Sequence, residues 1–322
     1  MGDKIRIGIL GQGFIGSVYR EVLFQLNNFQ VVCVAEPVEA SLKCLSGVKV
    51  VSDYRKLLDD ARDLDAVVNA LPTTLHLQSV RDTADCGLPM LLEKPMGIHS
   101  EEAGRIKTAR SGIKLMVGMT GRYHPEFVRA HEMIGKIGEI LQLNERIHFG
   151  GTPFPSQYLD AQQCGYGVGL TNGVHTIDRF LWYMNDNVAS VSVDHIGNEF
   201  FHKDVEDNIR GEILFSNGKL GLFSLRWSPH QETDYVFEAV GSEGIIRVYG
   251  FDRAVLIQGD KSTELYRHNQ DADFRERHKP GLTAELEAFA EFLQGNKPTR
   301  HVDDCIKAQK VIDHFYRSAM GA

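Results

Sequence analysis

A glycine-spaced turn at residues 11–16, a lysine at 94 and a histidine at 175 are the features of this chain whose types and spacing could carry chemistry. The stretch "GVGLTNGVHTIDRFLW", Gly167 to Trp182, sets Thr171, His175 and Asp178 at helical spacing. On a helix drawn over 170–184, Leu170, Val174, Ile177, Leu181 and Met184 fall on the core face, and Thr171, His175, Asp178 and Trp182 on the neighbouring stripe. Two meanings fit that stripe: a substrate-facing catalytic set, or a helix-border histidine hydrogen-bonded to Asp178. An imidazole titrates near neutrality, so it can accept the proton of a reacting hydroxyl. Lys94 lies in "EKP" at the end of an apolar run. Its ammonium could stabilise developing negative charge, and the proline after it restricts its backbone to extended geometry. The plainer alternative is a solvated surface charge.

"GILGQGFIGSVY" holds Gly11, Gly13 and Gly16 in G-x-G-x-x-G spacing. The spacing alone is a weak signal, but here a strand ends at Leu10 and a helix begins near Phe14, which is the context that a dinucleotide-binding turn requires. Gly11 permits the tight turn, Gly13 lets a pyrophosphate approach the backbone, and Gly16 allows close helix–strand packing. The helix N-terminus offers N–H groups to the anion. Glu36 ends the second strand, where an acid binds ribose hydroxyls. A carboxylate there repels a 2′-phosphate, and no arginine stands near in sequence to receive one, which favours NAD over NADP. Pro72-Thr73-Thr74 and Glu93-Lys94-Pro95 end the next strands, and in parallel sheets ligands bind outside the carboxyl ends of strands. Cofactor contacts are therefore expected from Gly11, Gln12, Gly13, Phe14, Ile15, Gly16, Glu36, Leu71, Pro72, Thr73, His76, Glu93 and Lys94.

The elements that must position these groups can be read from apolar patterning. "IRIGIL" (5–10), "FQVVCVA" (29–35), "DAVVNAL" (65–71), "PMLLE" (89–93) and "KLMVGM" (114–119) read as strands alternating with amphipathic segments such as 17–26 and 75–87. That alternation implies an α/β domain with a doubly wound parallel sheet. After about residue 122 the pattern changes to one strong helix (170–184), consecutive strands from about 188 to 267, and closing helices around 282–294 and 303–319. Asn217-Gly218 suggests a two-residue hairpin turn. The second domain is thus expected to be α+β with an open, largely antiparallel sheet, the domains being 1–122 and 123–322.

Bulk properties narrow the function. The 322 residues suffice for two cores; 43% are apolar and 24% charged, as in globular proteins. A formal net charge of −8 argues against a nucleic-acid partner. The five cysteines (Cys33, Cys44, Cys86, Cys164 and Cys305) form no metal-ligand pair or disulfide framework, which suits a reducing cytoplasm. With only the short charged prelude "MGDKIR" before the first apolar run, no signal peptide is expected, and no apolar run is long enough for a membrane span. No metal is expected.

The glycine turn, "EKP" at 93–95 and "G-x-H-x-x-D" at 173–178 together resemble the Gfo/Idh/MocA oxidoreductases. "GRYHPEFVRAHEMI", "VGSEGIIRVYG" and the closing "ELEAFAEFLQGNKP…AQKVIDHFYRSA" extend the resemblance nearly end to end. The resemblance implies a Rossmann domain followed by an open sheet, hydride transfer between nicotinamide and a secondary alcohol or ketone of a sugar, sugar derivative or cyclitol, and a homo-oligomer (dimer or tetramer). Carried over by position, Lys94 and His175 are the catalytic pair. Thr171 departs from the pattern, because that family commonly has aspartate there, and threonine cannot ionise in the working range. Further substrate contacts are expected from Thr171, Asp178, Tyr158, Gln162 and Arg122. Two rival functions remain on this sequence: an NAD-dependent glycoside hydrolase that oxidises its substrate transiently, and a non-catalytic NAD sensor.

Overall fold

The computed structural model of the chain describes residues 4–38, 47–151, 154–230, 233–297 and 302–319. Cys44, Thr152 and Pro153 lie outside them. The chain divides into two compact units. The first comprises Met1–Thr120 and Gly281–Ile306, the second Gly121–Pro280 and Lys307–Ala322. A single cut at 122 therefore leaves out one feature: residues 281–306 return to the first unit.

In the first unit six strands form one parallel sheet: β1 (Ile5–Leu10), β2 (Phe29–Ala35), β3 (Lys49–Val51), β4 (Ala66–Asn69), β5 (Met90–Glu93) and β6 (Leu115–Gly118), in the order β3-β2-β1-β4-β5-β6. Helices α1 (Phe14–Gln25), α2 (Tyr54–Leu58), α3 (His76–Asp85) and α4 (Ser100–Ala109) connect them. Strands β4, β5 and β6 are buried throughout. Burial on both faces is why they read as unbroken apolar runs rather than as alternating ones. The strand order reverses between β1 and β4, and the crevice at such a reversal is where open α/β sheets bind ligands.

The second unit holds an eight-stranded sheet built from β7 (Ile140–Gly150), β8 (Val188–Gly197), β9 (Asn208–Phe215), β10 (Leu220–Ser228), β11 (Asp234–Gly241), β12 (Ile245–Tyr249), β13 (Arg253–Gln258) and β14 (Lys261–Arg267), in the order β14-β13-β12-β11-β7-β10-β9-β8. All neighbours are antiparallel except β7 and β10. Central β7 is not among the strands expected from patterning. Its inward positions read Leu143, Glu145, Ile147, and the buried carboxylate breaks the apolar alternation. The β9–β10 hairpin also differs from expectation. Phe215 N–H bonds the Lys219 carbonyl at 2.9 Å around three residues, and only Gly218 has positive φ (+81°), as in a turn closed by a glycine bulge.

Helices α5 (Pro125–Glu132), α6 (Ala161–Cys164), α7 (Val168–Thr171) and α8 (Gly173–Met184) belong to this unit. The single helix expected over 170–184 is interrupted at Asn172, whose amide oxygen accepts from Trp227 Nε1 at 2.7 Å. α8 ends at Asn185 in the left-handed region, a usual C-terminal stop. Two long helices, α9 (Phe274–Leu293) and α10 (Val302–Ala319), each run from one unit's residues into the other's. Among the described residues no helix is long and apolar enough to cross a membrane.

Candidate active site

In the first unit the glycine turn has the shape a dinucleotide requires. Gly11 sits at φ +92°, and a Cβ on it would lie 2.7 Å from the Ala70 carbonyl oxygen. A Cβ on Gly16 would lie 2.1 Å from the Gly11 carbonyl oxygen, so only glycine lets α1 pack this closely. A Cβ on Gly13 would meet nothing within 4 Å. That side of the turn is open, at the N-terminus of a helix that no side chain caps. The cradle therefore fits a pyrophosphate approaching at Gly13.

Glu36 is buried, and its carboxylate accepts two backbone N–H groups, Gln12 at 2.8 Å and Val38 at 2.9 Å. Those bonds fix the carboxylate against the turn, while each oxygen retains acceptor capacity for a ribose hydroxyl. The Gln12 side chain folds inward, its amide donating to the Gly16 carbonyl at 3.1 Å and its oxygen accepting from Arg20 at 2.9 Å. Gln12 therefore braces the turn with its side chain. Phe14 is partly exposed at the start of α1, Ile15 follows half-buried, and beyond β4 Leu71 is half-buried, Pro72 exposed and Thr73 buried.

Two expected cofactor contacts have their side chains elsewhere. His76 is fully buried, its ring nitrogens each 3.0 Å from a carbonyl oxygen, those of Pro95 and Leu71. Burial pushes its pKa down to about 4. At neutral pH the ring has one N–H to donate, and it braces the segment after β4 against that after β5. Glu93 also turns inward, accepting from the Tyr19 hydroxyl at 2.8 Å and from the Lys94 backbone N–H at 3.0 Å. Lys94 is half-buried and precedes a cis bond to Pro95. Burial lowers the pKa of its ammonium, and the Glu93 carboxylate acts in the opposite direction.

In the second unit, α8 is locked on two sides. Arg179 reaches inward to Glu145 of β7 at 3.0 Å, bonds the Tyr235 hydroxyl of β11, and lies over the Phe127 ring at 3.9 Å. On the flanking side Asp178 is gripped by Arg122, whose Nε and Nη2 lie 2.7 and 3.2 Å from its two carboxylate oxygens. The same guanidinium stands over Trp182 at 5.1 Å, and that indole stacks on His131 at 4.2 Å. Asp178 and Arg122 were expected as substrate contacts; the structure gives each to the other. Both are buried enough that this pair settles the rotation of α8.

The rotation leaves His175 half-buried, with Thr171 buried one turn before it. A Cβ on Gly121 would lie 3.2 Å from an Arg179 nitrogen, a tight approach, and 3.4 Å from His175 Nδ1, an ordinary contact. His124, buried beyond it, stacks edge-on with His278 at 4.8 Å. Burial and these neighbours hold its pKa well below the ordinary value, so it is neutral. Tyr158 packs near Phe154 and Trp227, and Gln162 is exposed on α6. Sequence reasoning missed Gly121, His124, Tyr19 and Arg179; Arg179 falls on the side of the predicted helix opposite the expected core stripe, where an arginine raises no question.

Residues 5–120 match the model for an oxidoreductase family with an NAD-binding Rossmann fold, and residues 127–247 match the GFO/IDH/MocA C-terminal domain. The chain is 25% identical to inositol 2-dehydrogenase of Rhizobium meliloti over 98% of this chain and 96% of that protein. It is also 25% identical to scyllo-inositol 2-dehydrogenase (NAD(+)) of Bacillus subtilis, over 92% and 88%. Among solved structures, GenD2 from gentamicin A biosynthesis in complex with NAD superposes with a TM-score of 0.86 at 22% identity, covering 99% of this chain and 95% of that one. With both family models matched in order along one chain, the protein belongs to the Gfo/Idh/MocA family and is an NAD(P)-dependent oxidoreductase.

Proposed function

We propose that the protein transfers a hydride reversibly between nicotinamide and a secondary alcohol or ketone carbon of a sugar, sugar derivative or cyclitol, with NAD preferred over NADP. The observation that carries this is the presence of two proton-active side chains on rigid supports: Lys94 directly after β5, and His175 on a helix clamped by Arg179 and Arg122. The inositol dehydrogenases among the relatives support the substrate class. NAD, when bound, supplies the hydride acceptor. Gly11, Gly13 and Gly16 hold its pyrophosphate and Glu36 its ribose hydroxyls, with Leu71, Pro72 and Thr73 alongside.

An alcohol loses hydride readily only if its hydroxyl proton has an acceptor. His175 takes that proton, and Lys94 stabilises the developing alkoxide or, in reverse, polarises the ketone. Thr171 offers a neutral hydroxyl to the substrate, and Tyr158 and Gln162 meet it from the 154–164 segment. Asp178 and Arg122 act through α8 by holding its orientation. Leu214 and Leu222, exposed on the outer face of the second sheet, fit self-association as a dimer or tetramer, which sedimentation would measure. A panel of cyclitols, aldoses and keto-sugars assayed by NADH absorbance tests the function. NADH should accumulate, or be consumed, with one class of polyol or ketone, and the rate should collapse in Lys94→Ala and His175→Ala. With aryl glycosides added to the panel, release of the aglycone without net NADH would replace this function with glycoside hydrolysis. NAD binding with no turnover across the panel would point to a sensor.

A further inference from the structure

Behind Lys94 lies a buried group of acids that the proposed chemistry does not use. Tyr19 on α1, Glu93 at the end of β5 and Glu285 on α9 all belong to the first unit and are buried. The Tyr19 hydroxyl is 2.8 Å from Glu93 Oε1 and 2.6 Å from Glu285 Oε2. The Thr120 hydroxyl is 3.1 Å from the same Glu285 oxygen. Glu285 Oε1 has no hydrogen-bond partner among the described residues. Gly118 makes room for the group, since a Cβ there would lie 3.1 Å from the Tyr19 oxygen and 3.4 Å from Glu93 Oε1.

Counting protons decides the charge state. A phenol has one proton to donate, yet two carboxyl oxygens approach it at hydrogen-bond distance. If both carboxyls were ionised, one of these contacts would oppose lone pairs between two buried anions, so one carboxyl must carry its own proton. Glu93 accepts from Tyr19 and from the Lys94 backbone, and it lies beside the Lys94 ammonium. Among the described residues no cation is paired with Glu285, and an ionised Oε1 would be left unpaired in the core. The proton therefore belongs on Glu285.

We propose that Glu285, Tyr19 and Glu93 form a directional chain in which neutral Glu285 donates to Tyr19, Tyr19 donates to Glu93, and Glu93 remains the carboxylate that holds the Lys94 backbone and its charge. Tyr19 and Glu285 are then positioning residues for Lys94, and this inference rests on the role proposed for that lysine. Burial and the nearby Glu93 charge push the Glu285 pKa up to about 8, in the same direction.

Two measurements separate the chain from the lysine's role. The first needs no substrate: unfolding free energy of the ligand-free protein against pH, for wild type and Glu285→Gln. The native chain keeps a proton that the unfolded chain releases at the ordinary carboxyl pKa of 4.5, so wild-type stability falls relative to Glu285→Gln as pH rises from there to about 8. The ratio of their unfolding constants should change tenfold per pH unit across that window. Parallel curves would overturn the proposal. If the variant does not fold, a carbon-13 NMR titration of wild type labelled at glutamate carboxyls should show one carboxyl titrating well above the rest, and its absence would equally overturn it.

The second measurement is the basic limb of the pH–rate profile. Glu93→Gln removes the anion beside Lys94, so its midpoint should fall by about one unit or more, while Glu285→Gln should keep the wild-type midpoint. Equal shifts in both variants would contradict the placement of charge on Glu93. Full activity in Lys94→Ala would defeat the catalytic role of the lysine, while the stability curves would still decide where the acids carry their proton.

Discussion

Gly13→Ala separates the turn's binding role from its structural one. A methyl at Gly13 meets no protein atom within 4 Å, and the backbone there, φ −61° and ψ −163°, is one that alanine adopts. The ligand-free variant should thus be within about 1 kcal/mol of wild type, the loss of a favoured cap being offset by reduced freedom of the unfolded chain. The methyl occupies the side from which the pyrophosphate would approach. Losing one charge-assisted N–H bond costs about 1.5–3 kcal/mol, so the NADH dissociation constant should rise roughly tenfold to a hundredfold. Gly16→Ala is the control, because its Cβ would be driven to 2.1 Å from the Gly11 oxygen and the fold itself must give way. That variant should lose roughly 3 kcal/mol or more of stability. Chemical denaturation and NADH titration by fluorescence read the two effects separately. Unchanged NADH affinity in Gly13→Ala, or wild-type stability in Gly16→Ala, would refute the assignment of this turn as the pyrophosphate cradle.

Three further outcomes follow from the same geometry. Asp178→Ala strands the Arg122 guanidinium and should destabilise by about 3 kcal/mol, with a double-mutant cycle showing strong coupling; additive losses would mean the pair does not anchor α8. His76 is held neutral by burial with a pKa of about 4 against an ordinary 6.5. The unfolded chain therefore takes up a proton that the native chain refuses, and the stability present above pH 6.5 falls by about 1.4 kcal/mol per unit down to about pH 4. His76→Asn should remove that share of the slope, leaving the shares of His148, also pushed down to about 4, and of His124 and His131, both lowered by burial, and an unaltered acid limb in denaturation would contradict it. Glu36→Ser with an arginine added nearby should shift relative kcat/KM toward NADP, and an unchanged ratio would remove Glu36 from the ribose site.

What can be seen in the sequence is set by how local each interaction is. β1 and β2 appear at their expected bounds, and the glycine turn is legible because its three glycines fall within one strand–turn–helix unit, although the contact that requires Gly11 is with Ala70 of a later strand end. β7 is hidden because Glu145 points into the core, and what neutralises it is Arg179, 34 positions further on. Asn172 interrupts the predicted helix where its amide takes a bond from Trp227, 55 residues away. Helical spacing sets Thr171, His175 and Asp178 on one stripe, yet nothing local announces that Arg122 closes on Asp178. Glu285 looks like any acid on a helix, and only tertiary packing places it against Tyr19, 266 residues earlier in the chain.

The most direct test of hydride transfer follows the hydrogen itself. The polyol that reduces NAD in the panel assay, deuterated at its reacting carbinol carbon, should give NADH carrying that deuterium at C4 of nicotinamide, with a primary isotope effect on a single turnover. NADH formed without the label, or turnover of the labelled substrate with no deuterium passing through the cofactor, would contradict the account.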